Sequence, residues 1–221
     1  MGREPIPVIL GLLLLSQSLL AEELAEDLKV RIVTNQGNIT ATLFSTRAPI
    51  TVANFMSYVD RGEYDSSIFH RVVLGFMIQG GGYYEDRSEL EEGTAIINEA
   101  DNGIRNTRGT LAMARMEEID SATREFFINL NDNEHLDHGS RSCTREDDLS
   151  IKRAAERGLY KPKTCQTFGY AVFGEVIGGM DVVDEIELVT VDAVDDFDDL
   201  PIEAVVIQKI VRLGSDGNTY K

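Results

Sequence analysis

The sequence predicts a mainly β fold, either a closed barrel or a sandwich. Several short stretches alternate between polar and apolar residues, as half-buried strands do, and only two segments show helical spacing. Of the 221 residues 43% are hydrophobic, so the chain can bury a full core. This length fits one ordinary domain plus a little extra, and the sequence shows no internal repeat and no obvious interdomain linker.

The first elements are predicted to be a β-hairpin followed by a helix. Residues 29–34 and 38–44 both alternate in polarity, and the turn residues 35–37 join them. Pro49 then begins a segment whose apolar residues recur at helical spacing, and Gly62 closes it.

The rest of the chain is predicted to contain further short strands and one more helix. The strand-like stretches are residues 69–78, 109–115, 125–130, 171–173 and 204–213. The second helix is predicted at residues 178–188. The glycines at 80–82 are interpreted as a turn, because no phosphate-binding glycine pattern surrounds them.

The N-terminus has the layout of a secretory signal peptide. Arg3 precedes an apolar run at residues 6–15, and small residues follow as far as Ala21. The run is too short to span a bilayer comfortably, and an uncleaved anchor is the alternative. We therefore expect a signal peptide at 1–21 and an acidic leader at 22–28. The mature chain should be exported without stable membrane insertion, to the periplasm if the source is a Gram-negative bacterium.

The charge of the chain excludes several classes of partner. The 38 acidic and 21 basic residues give a net charge of -17, and such a surface repels nucleic-acid phosphates. No GxSxG motif and no convincing pair of nucleophile and base is present, which argues against a hydrolase. The acidic run at 181–203 lacks the spacing of an EF-hand, and we interpret it as a solvated face.

Four blocks of sequence occur in a fixed order along more than half of the chain. They are FHRVVLGFMIQGGG at 69–82, GTLAMAR at 109–115, SATREFFIN at 121–129, and GYAVFG at 169–174 leading to GMDVV at 179–183. Together these blocks resemble the motifs of the cyclophilin-type peptidyl-prolyl isomerases, most closely the short bacterial type, including its exported forms. The resemblance covers residues 29–213 except 140–167. It implies a closed eight-stranded antiparallel β-barrel capped by two α-helices, with a peptide groove on its outer surface.

The resemblance also implies an activity, the acceleration of rotation about Xaa-Pro bonds in proline-containing polypeptides. Amide resonance sets the barrier to this rotation, and because no covalent bond breaks, neither a cofactor nor a metal is needed. Arg71 matches the catalytic arginine of the family, and Gln79 matches the glutamine that orients it and contacts the substrate backbone. A catalytically weak peptide-binding module or chaperone that uses the same groove is the alternative function.

Further positions match substrate-binding residues of the family. The matches to the apolar proline pocket are Phe76, Met77, Phe127 and Leu136. Ala114 and Arg115 match the backbone stretch that pairs with the bound peptide, and Tyr170 supplies a hydroxyl donor.

Three positions near this groove depart from the family pattern. Glu125 stands where glutamine is usual, and we expect it either to pair with Arg71 or to repel acidic peptides. Met116 replaces a smaller residue and is expected to narrow the groove. His135 occupies the position of a tryptophan in the drug-sensitive eukaryotic members, so weak cyclosporin binding is expected.

The segment 140–167 is polar and irregular, and it is interpreted as a surface insertion. It contains the two cysteines of the chain, Cys143 and Cys165, which are expected to form a disulfide bond in an oxidising compartment. A zinc site that combines them with His135 and His138 is the alternative, although the spacing fits no known zinc finger. The isomerase domain is thus expected at 29–213 with a short tail at 214–221, as a monomer.

Overall fold

The computed structural model describes residues 27–139 and 168–214. The predicted signal peptide, the first five residues of the leader, the insertion with Cys143 and Cys165, and residues 215–221 lie outside the described residues. In the described ranges, no helix is long and apolar enough to cross a membrane.

Eight strands in the described residues form a closed barrel in which every pair of neighbours is antiparallel. The strands in chain order are β1 (Leu28–Thr34), β2 (Asn38–Leu43), β3 (Ser67–Val73), β4 (Met77–Tyr84), β5 (Thr110–Met113), β6 (Phe126–Asn129), β7 (Val172–Gly178), β8 (Val191–Val194), β9 (Phe197–Pro201) and β10 (Val205–Leu213). The order around the barrel is β1-β10-β3-β4-β6-β5-β7-β2, and β8 and β9 form a separate hairpin. The predicted eight-stranded antiparallel barrel is confirmed, and the sandwich is wrong.

Two α-helices, α1 (Pro49–Asp60) and α2 (Met180–Glu187), accompany the barrel in the described ranges, as the resemblance implied. The apolar face of α1 joins the barrel core. The ring of Phe55 lies 5.4 Å from that of Phe126 in an edge-on arrangement, and 5.1 Å from that of Phe173. These contacts anchor the helix to the barrel, because packed aromatic rings add to the free energy gained by burying them.

The stretch at 69–78 is not one strand, as the sequence predicted, but the greater part of a hairpin. Gly75 lies in the turn between β3 and β4 with a φ of 71°, which favours glycine. The glycines at 80–82 belong to β4 and are not a turn. A Cβ atom at Gly80 would lie 2.9 Å from the backbone oxygen of Ile68, so the close packing of β3 and β4 requires glycine at this position.

The prediction for 181–203 as a solvated acidic face is also incomplete. Helix α2 occupies its first part, and the β8–β9 hairpin occupies most of the rest and packs against β3. The alternation of polar and apolar residues in this hairpin is weak, because Ala193 is followed by Val194 and Asp198 by Asp199. This is why the sequence pattern does not reveal the two strands.

The N-terminus of α1 is capped by a residue distant in the sequence. Ala48 provides no capping side chain, and Pro49 has no N–H to donate. The carboxylate of Glu99 instead accepts hydrogen bonds from the N–H of Ile50 at 3.1 Å and from that of Thr51 at 2.8 Å. The carboxylate therefore satisfies two free N–H donors of the helix, and its negative charge is attracted to the positive end of the helix dipole.

Replacement of this cap should destabilise the fold. We expect Glu99→Ala to lower the free energy of unfolding by about 1–2 kcal/mol, the usual effect of losing a helix cap. Urea denaturation followed by circular dichroism measures this loss. The control Glu85→Ala, which removes an exposed carboxylate from the turn after β4, should unfold like the wild type. Equal stability of the two variants would contradict the role of Glu99.

Candidate active site

A second apolar cluster lies outside the barrel core and is here called the outer cluster. It consists of buried Met77, Ala112, Phe127, Leu136 and Val172, with Phe44, Val73, Phe76, Ile104, Ala114 and Tyr170 packed against them. Strand alternation explains it, because neighbours such as Ile78 and Phe126 belong to the barrel core. The four residues predicted to form the proline pocket are all in the outer cluster.

Aromatic contacts order the edge of the outer cluster. The rings of Phe76 and His135 stack with their centroids 5.5 Å apart, and the ring of Tyr170 meets that of Phe127 edge-on at 5.7 Å. The guanidinium carbon of Arg115 lies 4.8 Å from the Tyr170 ring centroid, a cation–π contact. The predicted site residues Tyr170 and His135 therefore both border the apolar surface.

An open cleft of about 340 Å³ adjoins the outer cluster, with Ala114 common to both. Its lining residues are His70, Arg71, Gln79, Tyr83, Glu89, Glu92, Ala114, Arg115, Met116, Ser121, Thr123, Glu125, Asp196, Phe197, Asp198 and Asp199. The predicted site residues thus form two adjoining groups. One contains the outer-cluster residues Phe76, Met77, Phe127, Leu136 and Tyr170, with His135 stacked on Phe76. The other contains Arg71, Gln79, Arg115, Met116 and Glu125 in the cleft, and Ala114 belongs to both.

Strand register places Arg71, Gln79 and Phe127 in one row across the barrel. Arg71 on β3 is opposite Gln79 on β4, and Gln79 is opposite Phe127 on β6. Residues directly opposite on neighbouring strands share a face, with Cβ atoms about 5 Å apart. The cation and the apolar surface therefore lie side by side, with the glutamine between them.

The polar contacts in this row differ from the expected pairing of Arg71 with Glu125. The Nε atom of Arg71 lies 3.5 Å from a carboxylate oxygen of Asp199 on β9, while Glu125 accepts a hydrogen bond of 2.6 Å from the amide of Gln79. The described residues contain no ion pair between Arg71 and Glu125, so that expectation is wrong. Glu125 is instead directed to Gln79 because it directly precedes β6, the strand that pairs with β4, and both side chains line the cleft.

Burial shifts the pKa values of two neighbouring groups in the cleft, Glu125 and His70. Burial raises the pKa of Glu125 above its usual range, against the effect of the hydrogen bond from Gln79. Burial and, as the smaller cause, the charge of Arg71 together lower the pKa of His70 to about 4. The Nε2 atom of His70 lies 3.6 Å from the Glu125 carboxylate. At neutral pH this imidazole is therefore uncharged and adds no cation to the cleft.

The cleft is strongly acidic. Six carboxylates line it, belonging to Glu89, Glu92, Glu125, Asp196, Asp198 and Asp199, against the two guanidinium groups of Arg71 and Arg115. Arg115 donates hydrogen bonds to the backbone oxygens of Gly169 at 3.1 Å and Met116 at 2.8 Å. The charged side chains of the cleft are thus mostly acidic, whereas the repulsion of acidic peptides expected of Glu125 stays a prediction.

The two remaining predicted groove residues lie at the cleft as well. The Ala114 N–H donates to the backbone oxygen of Glu125 at 2.9 Å, which joins the ends of β5 and β6. Met116 is 74% exposed at the cleft, so its side chain presents apolar surface at the opening.

A buried arginine that sequence reasoning missed fixes the start of β6. Arg124 is 2% exposed, and its guanidinium donates to the backbone oxygens of Gly81, Glu91 and Glu63. Three carbonyl acceptors satisfy the buried cation without a carboxylate partner. These bonds hold Glu125, the next residue, in place beside Gln79.

Other cleft residues that sequence reasoning missed are Tyr83, Phe197 and Asp199. The ring of Phe197 meets that of Tyr83 edge-on at 4.9 Å. The only sequence signal for the β9 residues was an aromatic residue within the acidic run, and it gives no information about the neighbouring strand. In the described residues, no group of three or more metal-binding side chains is present, whereas the zinc alternative involves cysteines outside them.

The closed antiparallel barrel, its outer apolar cluster and the adjoining exposed arginine define the cyclophilin class of fold and site. The family model described as cyclophilin type peptidyl-prolyl cis-trans isomerase/CLD matches residues 29–212. The chain therefore belongs to the cyclophilin-type peptidyl-prolyl cis-trans isomerase family.

Individual relatives agree with this assignment. The chain is 43% identical over 185 residues to peptidyl-prolyl cis-trans isomerase A of Dickeya dadantii, covering 83% of this chain and 84% of that protein. It is 42% identical to peptidyl-prolyl cis-trans isomerase B of Escherichia coli, covering 80% and 94% of the two chains. A crystal structure of a Cryptosporidium parvum cyclophilin has the same fold, with a TM-score of 0.62 at 23% identity over 86% of this chain and 99% of that one.

The buried neutral His70 should make stability depend on pH. An unfolded histidine takes up a proton near pH 6.5, whereas burial lowers the pKa of His70 to about 4. The contribution of neutral His70 to the free energy of unfolding is therefore complete above pH 6.5, and it is lost as the pH falls toward 4. Between pH 7 and 5.5 we expect a loss of about 1 kcal/mol.

Urea titrations at these two pH values measure the loss. His70→Gln should remove most of the pH dependence, whereas the control His138→Gln, at an exposed position, should retain it. If the stability of His70→Gln depended on pH as that of the wild type does, His70 would not be its cause.

Proposed function

We propose that this protein accelerates cis-trans isomerisation of Xaa-Pro bonds in proline-containing polypeptides, with Arg71 stabilising the twisted amide. The observation that carries the proposal is the row of Arg71, Gln79 and Phe127 across three strands. A proline ring held on the outer cluster would place its amide next to the guanidinium. The names of the bacterial relatives support the same reaction.

The chemistry requires little more than this arrangement. Rotation about an Xaa-Pro bond has a barrier of about 18–20 kcal/mol, because it interrupts amide resonance. In the twisted state the nitrogen regains its lone pair, so a hydrogen-bond donor stabilises it more strongly than the planar amide. Arginine remains protonated in proteins and offers five N–H donors, so it can supply this donor at any physiological pH.

The outer cluster contributes to the reaction by holding the ring. Met77 and Phe127 are each at most 3% exposed and form a firm apolar floor, while Phe76 and Tyr170 border it. A ring held still on this floor allows only the other side of the amide to rotate. The binding energy of the ring is in this way used for orientation.

Removal of the arginine should abolish most activity and leave the barrel intact. Arg71 is exposed and outside both apolar clusters, so Arg71→Ala creates no cavity. We expect kcat/KM for a short Xaa-Pro peptide to fall by roughly 100-fold, the usual effect of losing one donor to a transition state. A protease-coupled assay measures the rate, and circular dichroism measures the fold.

The matched control is Arg212→Ala. Arg212 is likewise an arginine in one ion pair, at 3.3 Å from Asp60, with a partly exposed side chain (38%, against 44% for Arg71), and it is not a cleft residue. This variant should retain wild-type activity. A folded Arg71→Ala protein with wild-type kcat/KM would contradict the proposed role. A wild-type protein that binds proline peptides without isomerising them would support the peptide-binding alternative.

We further propose that the protein acts on exported polypeptides and carries a disulfide bond between Cys143 and Cys165. The support comes from the signal-like residues 1–21 and from the absence of other cysteines. Both cysteines lie outside the described residues, and all eight barrel strands lie within them. Reduction should therefore leave isomerase activity within about twofold of the oxidised protein.

Alkylation without prior reduction tests the disulfide bond. Exported protein purified from the periplasm of an expression host should show no alkylated cysteine by mass spectrometry, and two after reduction. The same protein expressed without residues 1–21 in a reducing cytoplasm is the control, and it should be alkylated at both positions. Two free thiols in the exported protein would contradict the pairing.

A further inference from the structure

The β8–β9 hairpin is anchored next to the cleft by contacts at both its turn and its face. Asp195 in the turn lies 3.4 Å from the guanidinium of Arg87. Phe197 packs edge-on against Tyr83 at 4.9 Å and against His70 at 6.1 Å. The hairpin therefore cannot shift freely along β3, and it presents the carboxylate of Asp199 at a defined place.

The contact of Asp199 with Arg71 is made at the inner nitrogen of the guanidinium. It joins Oδ2 of Asp199 to Nε of Arg71 at 3.5 Å, with the two side chains 32% and 44% exposed. An ion pair at Nε restrains the long side chain and does not use the two terminal nitrogens, which can then donate to a substrate amide. The contact therefore restrains the arginine side chain and leaves its terminal N–H groups available to a substrate.

Gln79, the residue expected to orient Arg71, is engaged elsewhere. Its amide nitrogen donates to Glu125 at 2.6 Å, and Glu125 is itself held by the fixed start of β6. In the described residues, the ion pair recorded for Arg71 is the one with Asp199. The departure from the family pattern at position 125 is thus accompanied by a different partner for the arginine.

We propose that Asp199 is a positioning residue for Arg71, holding its guanidinium in the orientation that stabilises the twisted amide. This inference rests on the proposed function of Arg71. Asp199 acts through the arginine and does not contact the reacting bond. Its loss should therefore lower kcat, because the guanidinium spends less time in the productive orientation. KM should change little, because the apolar floor that holds the proline ring is untouched.

The test compares isosteric charge removals on the same hairpin. Asp199→Asn retains side-chain volume and removes the ion pair, and Asp199→Glu retains the charge. Asp192→Asn is the matched control, because Asp192 is exposed on β8, is not a cleft residue, and accepts only from the N–H of Ala193 in the described residues. Each substitution is also made in the Arg71→Ala background. Rates of isomerisation are measured with a neutral Xaa-Pro peptide by NMR exchange, which separates kcat from KM.

We expect Asp199→Asn to lower kcat about fivefold, the scale of a partly exposed ion pair, with KM within about twofold. Asp199→Glu should recover most of this loss, Asp192→Asn should match the wild type, and Asp199→Asn should have no further effect when Arg71 is alanine. An unchanged or raised kcat in Asp199→Asn overturns the inference. So does an equal loss in Asp192→Asn or in the Arg71→Ala background.

A second measurement tests positioning without reference to activity. The Nε–H signal of Arg71 should report an ordered side chain in the wild type and a more mobile one in Asp199→Asn, by its ¹⁵N relaxation. Equal mobility in both proteins overturns the inference. A wild-type protein without isomerase activity would instead contradict the proposed function, and the relaxation experiment would still decide whether Asp199 orients Arg71.

Discussion

Alternation of side chains between the two faces of the barrel strands is the constraint on which the site depends. The inner face accepts only apolar residues that fill the core, such as Ile78, Phe126 and Ile128. Their neighbours Met77 and Phe127 must then point outward, where they form the outer cluster. An apolar floor on the outer surface is therefore a direct consequence of how the barrel closes, combined with apolar residues at consecutive positions.

One irregularity in this alternation places the arginine. Phe69 and Val72 both belong to the barrel core although they are three residues apart. The register of β3 with β4 shifts between Phe69 and Arg71, which adds a residue to one strand. The shift directs Arg71 to the outer face opposite Gln79. It also lies where the glycines of β4 allow close packing, since a side chain at Gly80 would meet Phe69 at 2.9 Å.

The electrostatics of the cleft follow from which groups are buried. His70 is buried and neutral, and the carboxylate of Glu125 is held by the hydrogen bond from Gln79. The aspartates of β9 line the same cleft as Arg71, and they cannot take its proton, because an arginine does not lose its proton in proteins. Arg71 therefore remains a cation among these carboxylates, and Asp199 is the one in contact with it.

The sequence by itself determined the class of fold, the family and four residues of the outer cluster, which are Phe76, Met77, Phe127 and Leu136. Local patterns carry that information, because alternation marks strands and the motifs occur in order along the chain. It did not determine the partner of Arg71, the hairpin that carries Asp199 or the capping of α1 by Glu99. Each of these joins residues far apart in the chain, and only the closed barrel brings them together. Periodicity reports the face on which a side chain lies, whereas the tertiary structure decides what it meets there.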